Sequence, residues 1–334
     1  MYRGKTVGVV VPAYNEEGFV GEVIDTLPEF VDRAYVVDDR STDGTWTEIQ
    51  QHAAAANVRP SDPPVADGGV AFVPKVVPIR HEENRGVGAA IKTGYDRARE
   101  DGLDITAVMN GDGQMDPDIL HRIIEPIVSG EADYAKGNRL ISPAHWDGMS
   151  RWRLFGNSVL TFLTKVASGY WRMVDPQNGY TAISLRALER LDFDNLYDRY
   201  GFCNDILVKL NTRGLRVADV PMEAVYGDEQ SGIRYTEFVP SLSALLLRGF
   251  LWRLKTRYLV YDFHPLVFLY GLGVAGGATG LALGAFALVA GAGLVAGGFG
   301  VLFLLLGGTL CTLAMIFDKR HNESLERGTW GESR

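Results

Sequence analysis

From Pro265 to Phe317 the chain runs for 53 residues without an Asp, Glu, Lys or Arg. That run rules out a purely soluble protein. A membrane-spanning helix needs about 20 apolar residues, so the stretch suits a two-helix hairpin, about 265–288 and 297–317, turning at the glycine-rich Val289–Gly298. A hairpin returns both ends to one side. Before it, Phe238–Tyr261 holds no acid but carries Arg248, Arg253, Lys255 and Arg257 among Leu245–Leu247, Phe250, Leu251, Trp252 and Tyr258. Residues 236–263 thus read as basic amphipathic juxtamembrane helices suited to a headgroup layer of the lipid bilayer. A helix packed on the globular domain is the alternative. Basic residues flank the cytoplasmic side of spans, which puts both hairpin ends, the soluble part and a tail over 319–334 in the cytoplasm of a multi-pass cell-membrane protein. The spacings Gly273/Gly277, Gly276/Gly280 and Gly280/Gly284 allow close helix contact, within the hairpin or at a homo-oligomer seam.

The rest reads as an α/β chain. Its formal charge, 33 − 41 = −8, disfavours nucleic acid as a partner. Cys203 and Cys311 cannot build a disulfide framework or a cysteine zinc site. The opening MYRGKTVGVVVPAYNEE enters a strand pattern without a signal-peptide apolar region, so a reducing, cytoplasmic setting is expected. Apolar runs at Thr6–Val11, Arg33–Asp38, Lys75–Arg80 and Asp104–Met109 alternate with helical patterns. These helices start at an Asn15 cap (running to Pro28), near Asp43, and at Gly86 and Pro117. The alternation predicts βαβ units in a mainly parallel sheet with helices on both faces. Asn57–Pro74, rich in Pro and Gly, reads as a surface insertion; Gly130–Tyr235 is less regular, with helices expected near Arg153–Ala167 and Asn204–Thr212.

Ligands of such sheets bind beyond the C-terminal strand ends, and the polar clusters fall there. The first strand ends in Pro12-Ala13-Tyr14-Asn15-Glu16-Glu17 and the second in Asp38-Asp39-Arg40-Ser41-Thr42-Asp43. The fourth ends in Asn110-Gly111-Asp112-Gly113-Gln114-Met115-Asp116. A single acidic strand end is usually a helix cap; acids at successive ends suit a hard cation such as Mg2+ or Mn2+ bridging to phosphates. GxGxxG after the first strand, GxxxxGK[ST], GxSxG and HExxH are all missing, which leaves a nucleotide sugar held by carboxylates and a metal.

VPAYNEE, VVDDRSTDGT and GDGQMDP in register resemble the inverting family 2 glycosyltransferases of GT-A fold. The likeness covers about residues 5–235, within a catalytic domain taken as 1–235, and is nearest to dolichyl-phosphate mannose and glucose synthases of prokaryotic, archaeal type. It implies that Pro12, Tyr14 and Glu16 line the nucleotide pocket and that Asp39 binds the base. The family's DxD motif falls on Asn110-Gly111-Asp112, with Gln114 beside it, making Asp112, Asn110 and Gln114 the implied metal set. Here the chain departs: Asn110 supplies an oxygen without charge. Asp116 either compensates or starts the next helix with Pro117 behind it. Arg139, in Gly137-Asn138-Arg139, would face the phosphates, and Asp175-Pro176-Gln177-Asn178-Gly179-Tyr180 resembles the segment near sugar and acceptor. Arg151, Arg153 and Arg234 fall where the family contacts the acceptor phosphate. Asp205 occupies the region of the usual catalytic acid residue, or merely charges a helix start.

The resemblance implies transfer of a hexose from UDP- or GDP-hexose to polyprenyl (dolichyl) phosphate. A hydroxyl acceptor needs a general base; a lipid phosphate, with second pKa about 6, is already anionic. Rivals are a transferase extending a lipid-linked or polymer glycan, a sugar-1-phosphate nucleotidyltransferase and a membrane scaffold without activity. Arg outnumbers Lys 25 to 8, which suits a GC-rich or salt-adapted prokaryote. In an archaeon the pathway would be protein N-glycosylation.

Overall fold

The structure, a computed structural model, describes residues 1–58, 72–140, 151–222, 235–290 and 293–328. Strands β1 (Val7–Ala13), β2 (Arg33–Asp38), β3 (Val76–Arg80) and β4 (Ile105–Val108) are separated by α1 (Val20–Asp25), α2 (Thr45–Val58) and α3 (Val87–Glu100). Then follow α4 (Leu120–Val128), β5 (Tyr134–Asn138), α5 (Arg151–Ser168), β6 (Thr181–Ser184), α6 (Leu185–Arg190), α7 (Phe202–Thr212) and β7 (Val217–Pro221). With β8 (Glu326–Gly328), one sheet runs in the order β3-β2-β1-β4-β6-β5-β7-β8. β1 to β4 pair in parallel, β6 opposes β4 and β5, and β7 and β8 again follow β5.

Successive strand residues face opposite ways, and β1 is buried throughout. Val7, Val9 and Val11 pack with Val23, Ile49 and Ile123 of α1, α2 and α4; Val10 packs with Tyr95 of α3 and Ile206 of α7. The sheet is thus covered on both faces. Asn15 does not cap a helix. It sits in the left-handed region at φ 56°, its Oδ1 accepts from Thr42 N at 2.9 Å, and its own N donates to Ser41 Oγ at 2.9 Å. The loops after β1 and β2 are tied together, and α1 starts only at Val20. The insertion expected at Asn57–Pro74 lies largely outside the described residues.

α8 (Tyr235–Lys255) continues through a π-helical turn, Thr256–Tyr261, into α9 (Leu266–Val289) and α10 (Gly293–Asn322). α8 lies on the catalytic domain: Leu242 and Leu246 bury against Ala167 of α5 and Val208 of α7. Arg253, read from sequence as a headgroup cation, is wholly buried and paired with Asp318 at 2.9 Å. The domain-packed alternative therefore holds for that face of α8, while Leu247 and Leu251 stay exposed on another.

α9 and α10 are long and apolar enough to cross a membrane, with 11% and 17% of their most apolar windows buried. Bare leucines, valines and phenylalanines on both require an apolar surrounding. Gly273, Gly276 and Gly280 face α10: a Cβ on Gly280 would lie 2.7 Å from Gly300 O. The glycine stripe is used inside the hairpin. α10 starts at Gly293, so the turn is shorter than the glycines suggested. The expected tail also differs, since residues 319–322 finish α10 and 326–328 add β8 beside β7.

Candidate active site

Strand order reverses between β1 and β4, the crevice where open α/β sheets bind ligands. Pro12 is buried there at the end of β1, and its carbonyl accepts from Gly111 N at 3.1 Å. The Asn110-Gly111-Asp112 turn is thereby seated directly on β1. Asp112 Oδ1 accepts from Gln114 N at 3.0 Å. Tyr14 stands 45% exposed, and Glu16 N donates to Thr45 Oγ1 at 2.8 Å. Asp116 caps the turn at Pro117, accepting from Asp118 N at 2.8 Å; this is the helix-start role.

Asp39 is buried, with His81 Nδ1 2.7 Å from its Oδ1. It also accepts from Arg85 N at 2.9 Å and Gly86 N at 2.7 Å. Asp39 thus fixes the β3–α3 loop.

The reversed strand β6 brings the second half of the site alongside. Thr181 is the register partner of both Val108 in β4 and Lys136 in β5. Gly179, just before it, lies against Asn110: a Cβ there would be 3.5 Å from either amide atom. At the end of β5, Arg139 Nε and Nη2 donate to Asp175 at 2.8 and 3.1 Å, and Arg139 N adds a bond at 3.2 Å. Burial works to raise the Asp175 carboxyl, but the Arg139 bonds and charge, with Lys136, hold it below its ordinary value. The guanidinium keeps 40% of its side chain exposed.

Behind this pair lies a buried cross-strand pair that the sequence reading missed. Lys136 and Asp219 are register partners across β5 and β7, 3.1 Å apart. Lys136 Nζ donates to Val174 O at 2.5 Å and Asp175 O at 2.8 Å. Asp219 Oδ2 accepts from Asn138 Nδ2 at 2.8 Å and Val174 N at 2.7 Å. Burial raises the Asp219 carboxyl, with Lys136 pulling the other way. A lone charge inside each short apolar run was the available signal, legible only once the pairing is known. Gly137, between Lys136 and Asn138, has Met222 and Asn178 where a side chain would go.

Asp205 stands in the first turn of α7 and accepts from Tyr197 N at 3.0 Å. Burial pushes its carboxyl up, partly offset by Lys209. The charges of Arg248 and Lys92 work in the same direction as that of Lys209. The structure thus groups Pro12, Asn110, Asp112 and Gln114 at one end and Arg139 with Asp175 at the other, and ties Asp205 to the 197 loop. Arg151 and Arg153 belong to the first turn of α5, with side chains outside the described residues, as is all of Arg234.

Among the described residues no group of three His, Cys, Asp or Glu could hold a metal alone. Asn110, Asp112 and Gln114 supply one carboxylate and two amide oxygens. Mg2+ keeps waters and takes one or two carboxylates together with substrate phosphates, so this sparse, hard set fits a cation shared with a diphosphate.

Glycosyl transferase family 2 matches residues 8–192. The chain is 31% identical over 223 residues to the UDP-N-acetylglucosamine–dolichyl-phosphate N-acetylglucosaminyltransferase of Methanococcus voltae, covering 66% of this chain and 86% of that protein. It is 24% identical over 222 residues to a dolichol-phosphate mannosyltransferase of Pyrococcus furiosus, covering 64% and 55%. Glucosyl-3-phosphoglycerate synthase from Mycobacterium tuberculosis, solved with Mn2+, uridine diphosphate and glucosyl-3-phosphoglycerate, shares the fold at TM-score 0.53 and 19% identity, over 75% of this chain and 80% of that one.

Proposed function

The chain belongs to glycosyl transferase family 2, and from that premise we propose that it moves a hexose or N-acetylhexosamine from a nucleotide sugar to a polyprenyl phosphate such as dolichyl phosphate, with inversion. The observation that carries this reading is the half-exposed Arg139, clamped by Asp175 just past the end of β5, in a domain locked to an apolar hairpin through Arg253 and Asp318. A fixed cation beside a membrane anchor suits an acceptor that is both anionic and lipid-borne. The named relatives support that acceptor class.

The acceptor phosphate needs no base, because with a second pKa of about 6 it is already a nucleophile. Its oxygen attacks the anomeric carbon opposite the leaving group. The bond to the diphosphate breaks, its electron pair leaves with the nucleotide, and the new bond forms with inverted configuration. Arg139 stabilises charge on the phosphates without reorganising, because Asp175 already fixes its plane. Tyr14 and Asp39 take the nucleoside end. Asn110, Asp112 and Gln114 would hold Mg2+ or Mn2+, which supplies positive charge against the diphosphate. Asp205, buried and bonded to Tyr197 N, serves as base only for a hydroxyl acceptor. The hairpin sits in the cell membrane with both ends and the catalytic domain on the cytoplasmic face, and the product feeds protein glycosylation.

The test is sugar transfer by the full-length protein in detergent, with UDP- and GDP-linked hexoses and N-acetylhexosamines, polyprenyl phosphate, and Mg2+, Mn2+ or EDTA. Lipid-linked product that needs metal and vanishes in Asp112→Ala supports the proposal. Donor turnover without lipid product overturns the acceptor class.

A further inference from the structure

We infer that two carboxylates of the segment returning from the hairpin, Asp318 and Glu326, position Arg139, so that seating of the membrane anchor and aim of the phosphate-facing cation are one mechanical unit. The inference rests on the transferase reading above.

The connection from α5 to β6 carries Asp175. At its start, Trp171 N donates to Glu326 Oε1 at 2.9 Å and Arg172 N donates to Oε2. The Trp171 indole donates to Asp318 Oδ2 at 3.1 Å. Four residues past Trp171 (175 − 171), Asp175 grips Arg139 through two side-chain bonds. Between them, Val174 N is held by Asp219, and Val174 O and Asp175 O by Lys136. The connection is therefore fixed at its start by the returning chain and at its end by the sheet.

Glu326 is a costly residue to place there. It is only 5% exposed, and its carboxylate accepts from backbone N–H groups at the start of the Asp175 connection; the Arg172 guanidinium turns instead to Glu323. Burying a carboxylate costs free energy unless its bonds are made. Asp318 is wholly buried and takes Arg253, Tyr258 and Asn322 as well as Trp171. One carboxylate thus ties the end of α10 both to α8 and to the loop that aims Arg139. Glu326, Trp171 and Asp318 are positioning residues.

The experiment compares Glu326→Ala, Glu326→Gln and the nearby surface variant Glu323→Ala in the full-length protein, each also combined with Arg139→Lys. Freeing the loop by an ångström is expected to lower kcat on the order of tenfold to a hundredfold, with the donor KM changing less. Glu326→Gln, keeping one acceptor oxygen, falls between, and Glu323→Ala stays within about twofold of wild type. In the Arg139→Lys background Glu326→Ala should cost less than about threefold, because both changes act through one group. Losses that multiply, or a folded Glu326→Ala with wild-type kcat, overturn the inference. If Glu326→Ala fails to fold, Glu326→Gln runs the same cycle, and multiplying losses or a wild-type kcat overturn the inference there too. UDP or GDP affinity, measured on the same set by titration calorimetry, is expected to show the same coupling, and additive losses there overturn the inference equally. Failure of wild-type lipid transfer would strike only the acceptor reading.

Discussion

Two arginines in this molecule each grip an aspartate with two nitrogens, and they serve opposite ends. Arg139 reaches Asp175 at 2.8 and 3.1 Å and leaves 40% of its side chain in the open. Arg253 reaches Asp318 at 2.9 Å through two nitrogens, while Nε and Nη2 also donate to Ala167 O and Val166 O at 2.9 and 3.0 Å, leaving nothing exposed. The first pair presents a cation in a set plane. The second joins three parts of the chain: the end of α5, α8 and the end of α10. Pair geometry alone does not separate them; what remains accessible does.

Breaking the buried pair should have the largest effect on stability. Asp318→Ala strands the Arg253 charge and should cost about 3–5 kcal/mol, read as a lowered Tm in detergent. Replacing both, Arg253→Met with Asp318→Leu, should recover only part, because Trp171, Tyr258 and Asn322 keep donors aimed at the lost carboxylate. The half-exposed pair should divide the other way: Arg139→Ala is expected to cut transfer on the order of a hundredfold to a thousandfold, with a smaller loss of Tm than Asp318→Ala, because buried Asp175 loses the guanidinium but keeps the Arg139 N–H. Equal Tm losses at Arg139 and Arg253 would collapse the distinction.

Asp175→Asn sharpens it further. The wild-type carboxyl lies below its ordinary 3.8, so its stabilisation is full above that pH and fades as pH falls through the folded value. Acid unfolding of Asp175→Asn should lack that part of the slope, and its kcat should fall less than that of Arg139→Ala. The smallest change is Glu323→Ala. Its pair with Arg172 is more than half exposed on both sides, and Tm should shift by less than about 2 °C.

Where the chain alternates plainly, it was legible. Arg33–Asp38 was read as a strand and is β2; Lys75–Arg80 exceeds β3 by one residue at its start, and Asp104–Met109 exceeds β4 by one residue at each end. The polar segment from Asn110 was legible as the end of the fourth strand because its residues are contiguous. Strands β5, β6 and β7 were missed because Lys136 and Asp219 interrupt the apolar pattern of β5 and β7, and β6 keeps only Ala182 and Ile183 between Thr181 and Ser184. Arg253 was misread for a related reason. Its own neighbourhood is free of acid, and the aspartate that neutralises it follows 65 positions later, beyond the whole hairpin. Local pattern reports local contacts, and both buried pairs are made by topology.

The short strand β8 has a consequence for assembly. Parallel neighbours such as β7 and β8 must be joined by a crossover, and here the crossover includes α8, α9 and α10. With the hairpin in the bilayer as proposed, a newly made chain cannot complete its sheet in solution. Its last strand follows the second apolar helix from the ribosome, so insertion comes first and sheet closure second. A molecule that misses the membrane leaves β7 as a bare edge, open to pairing with other chains.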